Sequence, residues 1–190
     1  MFTRVKQLVN VLSLVALCMT LPAIAMASDH VSKAVPVTHK TDNQLAEDVA
    51  HAIRMYPRYD IFDWVEGTVQ NGVVTLTGAA REPYRKDDYA KIVEGIPGVK
   101  QVNNELRVLP LSTFDDQIRR SAFRAIYRDS MFTAYAIQAN PSIHIIVENG
   151  KVTLKGVVAN PMEKQIAGSK VRTNVMSFAV TNDLQVEERG

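Results

Sequence analysis

Residues 71–78 read NGVVTLTG and residues 149–156 read NGKVTLKG, 149 − 71 = 78 positions apart. Asn-Gly is the dipeptide that most readily supplies the two positive φ values of a type I′ turn, so each octapeptide predicts a β-hairpin. Asn71-Gly72 and Asn149-Gly150 make the turns, and Gly78 and Gly156 end the returning strands. A chain of this kind folds around two ribbons of the same design, and the order of elements around them becomes the question.

That order repeats. TDNQLAEDVAHAIR predicts a helix with Thr41 or Asp42 as N-cap and Leu45, Val49, Ala52 and Ile53 at helical spacing. The ribbon FDWVEGTVQ–NG–VVTLTG follows, with Trp64 expected between sheet and helix. EPYRKDDYAKIVEG has Pro83 suited to a first helical turn and Gly95 suited to the position just past a helix end. VKQVNNELRVL closes the unit as a strand. The second half offers FDDQIRRSAFRAIYRD, SIHIIVENGKVTLKG, NPMEKQIAGSKVRT and FAVTNDLQV in the same order. Asn160, Pro161 and Glu163 read as a capping box with Asn in place of Ser. Val180, Asn182, Leu184 and Val186 stand 78 beyond Val102, Asn104, Leu106 and Val108, whereas Gln117 stands only 73 beyond Gln44. The second copy therefore carries about five extra residues before its ribbon, within SMFTAYAIQANP. It also lacks the Pro97-Gly98-Val99 of the first copy, reading Asn174-Val175-Met176-Ser177-Phe178, so Asn174 is expected to end its helix in a left-handed conformation.

The expected fold is α/β (α+β): two tandem αββαβ modules, each a three-stranded mixed sheet with two helices on one face. The strand–helix–strand passage should cross right-handed and add the third strand in parallel. A unit of about 70 residues is marginal alone. The joint LPLS at 109–112 is too short for a tether, so the modules should pack together, with sheet-to-sheet and helix-to-sheet arrangements both open.

The N-terminus reads as a signal peptide. Arg4 and Lys6 precede an apolar run of about fourteen residues, short of the ~20 that a membrane span needs. Ala25-Met26-Ala27 then places a cut before Ser28. Cys18, the only cysteine, follows Leu17 and precedes another apolar run, a poor setting for lipidation. Residues 28–40 read as a flexible leader. The chain holds 22 Lys+Arg and 20 Asp+Glu; removal of residues 1–27 takes away Arg4 and Lys6 and leaves 20 of each. A neutral secreted chain gives no reason to expect nucleic-acid binding.

The early helix, then V-x-N-G-x-V-T-L-x-G, a Pro-started helix and G-V-x-x-V-x-N-x-L resemble the BON domain of bacterial envelope proteins. The resemblance covers residues 41–109 and 113–188. Two such units behind a cleaved signal look like the osmotically inducible periplasmic type of that family. The resemblance implies a periplasmic location, binding to phospholipid surfaces, and a role in envelope integrity under stress.

No catalytic constellation is legible. His30 and His39 lie in the leader, His51 on a helix and His144 in a strand; each reads as a surface or packed residue. Asp87-Asp88 and Asp115-Asp116 are sequence neighbours, about 100° apart on a helix, better suited to the helix dipole than to acid–base work. No metal site or cofactor motif is found, and the expectation is a non-enzymatic protein. Charge pattern says more. Arg119, Arg120, Arg124 and Arg128 lie on the second copy's first helix, the last three at i, i+4 and i+8. They read either as an ordinary solvated face or as a basic strip for anionic headgroups. At about 1 kcal/mol each near an anionic surface, four arginines give roughly 4 kcal/mol. Met131, Phe132 and Tyr135, with Ile137, read either as core or as an apolar wedge beside the strip, one inserted Phe adding ~2 kcal/mol. The partner so implied is an anionic phospholipid surface. The alternative is an envelope protein partner or unfolded client held by the sheets. A ligand-sensing module has least support, because nothing in the sequence marks a pocket.

Overall fold

The computed structural model describes residues 40–187; the expected signal peptide, its cut, Cys18 and nearly all of the leader lie outside the described residues. Both Asn-Gly turns form as the dipeptides dictate, but Gly78 and Gly156 do not end the returning strands. They sit inside them at φ 117° and 115°, and the strands run on to Ala80 and Val158. Asn71 and Gly72 have φ of 54° and 80°, and Asn149 and Gly150 have 51° and 75°. The first module runs α1 (Asp42–Arg54), β1 (Trp64–Gln70), β2 (Val73–Ala80), α2 (Pro83–Glu94), β3 (Gln101–Asn104) and β4 (Arg107–Val108). The second runs α3 (Thr113–Tyr127), a 3₁₀ turn at Ser130–Phe132, α4 (Thr133–Ala136), β5 (Ile143–Glu148), β6 (Lys151–Val158), α5 (Pro161–Asn174), β7 (Ala179–Asn182) and β8 (Gln185–Val186).

In each module the hairpin is antiparallel and the next strand joins the second hairpin strand in parallel, as Val74↔Val102 and Val152↔Val180. That third strand is not continuous. Asn104 Oδ1 accepts from Leu106 N at 3.3 Å while its Nδ2 donates to Lys86 O at 2.8 Å. The side chain occupies backbone groups that a ladder would use, turns Leu106 into the core, and splits the strand into β3 and β4, both parallel to β2. Asn182 does the same between Lys164 O and Leu184 N, giving β7 and β8.

The helix caps hold with three corrections. Thr41 and Gln44 form a reciprocal capping box. Asn160 accepts from Glu163 N, but the Glu163 carboxylate reaches one residue further back, to Ala159 N. Gly95 ends α2 with φ −75°, and the left-handed conformation falls instead on Gly98 at φ 105°. Asn174 stays helical, and α5 stops because Val175 is already extended at φ −122°.

The two long helices of each module lie on one sheet face over their own core. Val49, Leu76, Tyr89 and Leu106 share one cluster, and Ile118, Phe132, Leu154 and Leu184 share the other. The two are stitched together by the segment between α1 and β1. Ile61 belongs to the second module's core, and its carbonyl accepts from Ile145 N at 2.7 Å. Asp63, fully buried, takes Arg81 N and Arg85 Nη1 at 2.6 Å each and Tyr89 OH at 2.7 Å. Trp64 is not between sheet and helix. Its register partner is Ala79, on the face away from α1 and α2, and it packs with Leu109 and Ile146 in a small cluster joining the two sheets. The modules therefore meet partly sheet to sheet.

His144 is the polar element of this junction. Its Nδ1 donates to Asp63 O at 2.6 Å, leaving Nε2 to accept, at a long 3.5 Å, from Tyr59 OH. Trp64 stands edge-on to the imidazole, with ring centroids 5.2 Å apart. Burial holds the His144 pKa below its usual value, against the opposing pull of the Asp63 carbonyl and the Asp60 charge.

Two outcomes are expected. Asp115, in the first turn of α3, is 1% exposed, and its carboxylate accepts from Asn149 N at 3.0 Å and Gly150 N at 2.7 Å. Asp115→Ala strands two turn N–H groups and should cost about 2–4 kcal/mol in denaturant unfolding. Asp42→Ala, which breaks the more exposed equivalent at Asn71 and Gly72, should cost less; equal losses would show that burial does not set the strength of the cap. The second outcome concerns pH. A base whose folded pKa is depressed contributes stability that is whole above the unfolded value, about 6.5, and is lost as pH falls below it. The melting temperature should drop between about pH 7.5 and about pH 5, and His144→Asn, which keeps a donor for Asp63 O, should flatten that drop. Parallel curves for the two proteins would contradict a buried neutral imidazole.

Candidate functional site

The outer face of α3 is built by what its inner face buries. Ser112 Oγ caps the helix by accepting from Asp115 N at 3.2 Å, and the Asp115 carboxylate clamps the helix start to the Asn149-Gly150 turn. Ile118, Ala122 and Ile126 are buried against the sheet. At 3.6 residues per turn the opposite side carries Gln117, Arg120, Arg124 and Arg128. All four are exposed. Arg124 Nη2 donates to Ser121 Oγ at 3.2 Å. Among the described residues none of these three guanidinium groups is in an ion pair.

Arg119 does not belong to this face. It is 3% exposed; Nη2 donates to Val147 O at 2.7 Å and Nη1 to Asp116 Oδ1 at 2.8 Å. Asp116 also lies 3.7 Å from Arg81 of the first module, so Arg119 ties α3 to β5 and to the junction. The reason is angular: residue 119 follows Ile118 by about 100° and so turns toward Ala122 and Ile126 rather than toward Arg120. The expected wedge also divides. Phe132 is fully buried in the second core. Tyr135 is half-buried, donating to Glu163 Oε2 at 2.5 Å and accepting from Ala159 N at 2.9 Å. Of the four expected wedge residues only Met131 and Ile137 are exposed, Met131 at 38%.

Other large apolar groups are exposed on and near α3. Phe123 flanks the arginine face and is 41% exposed; Phe114, in the first turn, is 42% exposed. Phe114 stacks on Phe178 with centroids 5.6 Å apart, over the Asn149-Gly150 turn. A Cβ on Gly150 would stand 2.5 Å from the Phe178 ring. Met176 and Phe178 are among the most exposed large apolar side chains described, at 89% and 77%. They lie in the stretch where the second copy departs from the first. That departure was legible; its exposure was not, because one sequence does not say which way a loop points.

A cleft of about 390 Å³ opens beside Arg120, between α3, the 59–62 segment of the first module and residues 139–141. Tyr59, Phe62, Phe123 and Pro141 line it, with His144 at the junction side. Nothing in the sequence marks it, since its walls come from both modules. Its one acid, Asp60, is already engaged, accepting from Phe62 N at 2.8 Å and Arg85 Nη1 at 2.9 Å. Among the described residues there is no group of three or more His, Cys, Asp or Glu side chains placed to hold a metal ion, and no helix is long and apolar enough to cross a membrane.

The arrangement can hold anions at the surface beside apolar groups, and comparisons with known proteins agree with the repeat. A family model described as the BON domain matches residues 41–110 and again 115–188. The outer membrane lipoprotein DolP of Haemophilus influenzae is 29% identical over 121 residues, covering 64% of this chain and 62% of its own length. The chain thus spans less than two thirds of that relative. Two solved structures of CdsD, a structural protein of the type III secretion system of Chlamydia trachomatis, are 14% and 13% identical. They cover 76% and 78% of this chain and 93% and 100% of their own, at TM-scores of 0.29 and 0.28. With two matched copies spanning most of its length, the chain belongs to the BON domain family.

Proposed function

We propose that this is a non-enzymatic periplasmic protein that binds anionic phospholipid surfaces through the outer face of α3 and so supports envelope integrity under stress. The observation that carries this reading is the set Arg120, Arg124 and Arg128. These are three exposed guanidinium groups at i, i+4 and i+8, none of them in an ion pair among the described residues, with the half-exposed Phe123 beside them. Such a helix face suits the headgroup boundary of a bilayer, cations at the phosphates and aromatic rings below them. The relative DolP is an outer membrane lipoprotein, which supports placement in the envelope. The alternative, a partner or client held by the sheets, has less surface to work with, because Trp64, Ala79, His144 and Ile146 are taken up by the module junction.

Three arginines near an anionic surface are worth about 3 kcal/mol, on the order of a hundredfold in partition at low salt. Purified protein should float with phosphatidylglycerol-rich vesicles at low ionic strength, lose them at high salt, and ignore phosphatidylcholine vesicles. Arg120, Arg124 and Arg128 changed together to Ser should weaken flotation strongly while leaving the melting temperature unchanged, since none of the three is in an ion pair among the described residues. Unchanged flotation of that variant would move the site elsewhere.

A further inference from the structure

The cleft between the modules has features of a binding site in its own right. At about 390 Å³ it falls within the range of small-molecule sites. Its surface is predominantly apolar, supplied by Tyr59, Ile61, Phe62, Phe123 and Pro141. The polar atoms that face it are unequal. Asp60 shares Arg85 Nη1 with the buried Asp63, whereas Arg120, exposed where the cleft reaches solvent, has no carboxylate partner among the described residues. Deeper in, His144 Nε2 has only the 3.5 Å contact with Tyr59 OH, a weak partner for a buried ring nitrogen. The cleft is therefore mostly apolar within, with one weakly paired nitrogen at His144, presents the unpaired guanidinium of Arg120 at its mouth, and opens onto the face of α3.

We infer that this cleft takes a single acyl chain of an anionic amphiphile, with the carboxylate or phosphate of its headgroup held by Arg120. A ligand polar along its whole length would find partners at Tyr59, Asn140 and His144 but would leave its other groups unpaired against Ile61, Phe62 and Phe123. A wholly apolar one would leave Arg120 unused and would have no reason to stop at the mouth. The inference rests on the reading of α3 as a face for anionic lipid and extends it: the face gathers headgroups, and the cleft beside it accepts one chain. Because the walls come from both modules, an occupant also bridges them and binds the native junction alone, which raises thermal stability by mass action.

The two sources of such a chain, a bilayer phospholipid and a free fatty acid, share this chemistry, and one reporter separates them. Trp64, the only tryptophan, stands edge-on to His144, which lines the cleft, with ring centroids 5.2 Å apart. Nitroxide-labelled fatty acid, kept monomeric, should quench its fluorescence saturably and raise the melting temperature. The same label on phosphatidylglycerol within vesicles should quench it only if chains enter from the bilayer. Arg120→Glu, at an exposed position, should weaken binding of the monomer about tenfold, the value of a charge-assisted contact. Ala139→Phe, on the exposed rim, should fill the cleft and abolish saturable quenching. Lys91→Ser, on the far side of the first module, should change nothing. Should Ala139→Phe fail to fold by circular dichroism, Arg120→Glu decides alone. Quenching that does not saturate, or that Arg120→Glu leaves intact, would overturn the cleft as a site. Vesicle flotation without monomer binding would keep the α3 surface and reject the cleft; monomer binding without flotation would do the reverse.

Discussion

Each module is organised by one carboxylate. Asp42 in the first and Asp115 in the second, 115 − 42 = 73 positions apart, accept two hydrogen bonds from the backbone N–H groups of an Asn-Gly turn. A type I′ turn leaves those N–H groups pointing outward, and a helix start is where a carboxylate is best placed to receive them. One bidentate contact therefore fixes three things together: the turn and so the hairpin register, the position of the first helix over the sheet, and the rotation of that helix about its axis. Rotation decides which side chains of the helix reach solvent. With Asp115 turned inward to the turn, Ile118, Ala122 and Ile126 follow it into the core, and Arg120, Arg124 and Arg128 are carried to the opposite side.

The second constraint is the asparagine four residues into each third strand. Asn104 and Asn182 each hold a carbonyl of the preceding helix and the amide of the next buried leucine. This explains the V-x-N-x-L signature: a side chain that can donate and accept at once is needed where the strand leaves the ladder and docks against the helix. Aspartate would lack the donor, and leucine would lack both.

Much of this was legible in the sequence because it depends on local chemistry. The turns, the two αββαβ units, Thr41 and Asn160 as caps and the core stripes all follow from residue type and spacing. The illegible part is long-range. Arg119 reads as one of four arginines until the helix is rotated onto its sheet, when it proves to face Val147 O and Asp116. Phe132 reads equally as wedge or core, and only the path of the five-residue insertion places it inside. Trp64 and His144 lie in strands whose inner and outer faces are both apolar in part, so alternation could not say which face each would take. They meet because the 59–64 segment crosses into the other module, a contact between residues 81 positions apart for Asp63 and His144.

On the proposed reading, the loss of Arg119 from the surface also changes the balance of forces at a membrane. Three arginines at about 1 kcal/mol each are screened within a Debye length of about 8 Å at physiological salt. Alone they would give an association that forms and breaks with ionic strength. The partly exposed rings of Phe114 and Phe123 can add to this only in proportion to the area they still show water, less than half of each. A cleft that accepts an acyl chain supplies apolar contact of a different kind, since the ligand's chain rather than the protein's own side chains leaves water. That contact would add to whatever the exposed Phe178 and Met176 supply, while Phe132 serves the core. On that view the duplication matters because neither copy alone has both walls: the first contributes Tyr59, Ile61 and Phe62, and the second contributes Arg120, Phe123 and Pro141.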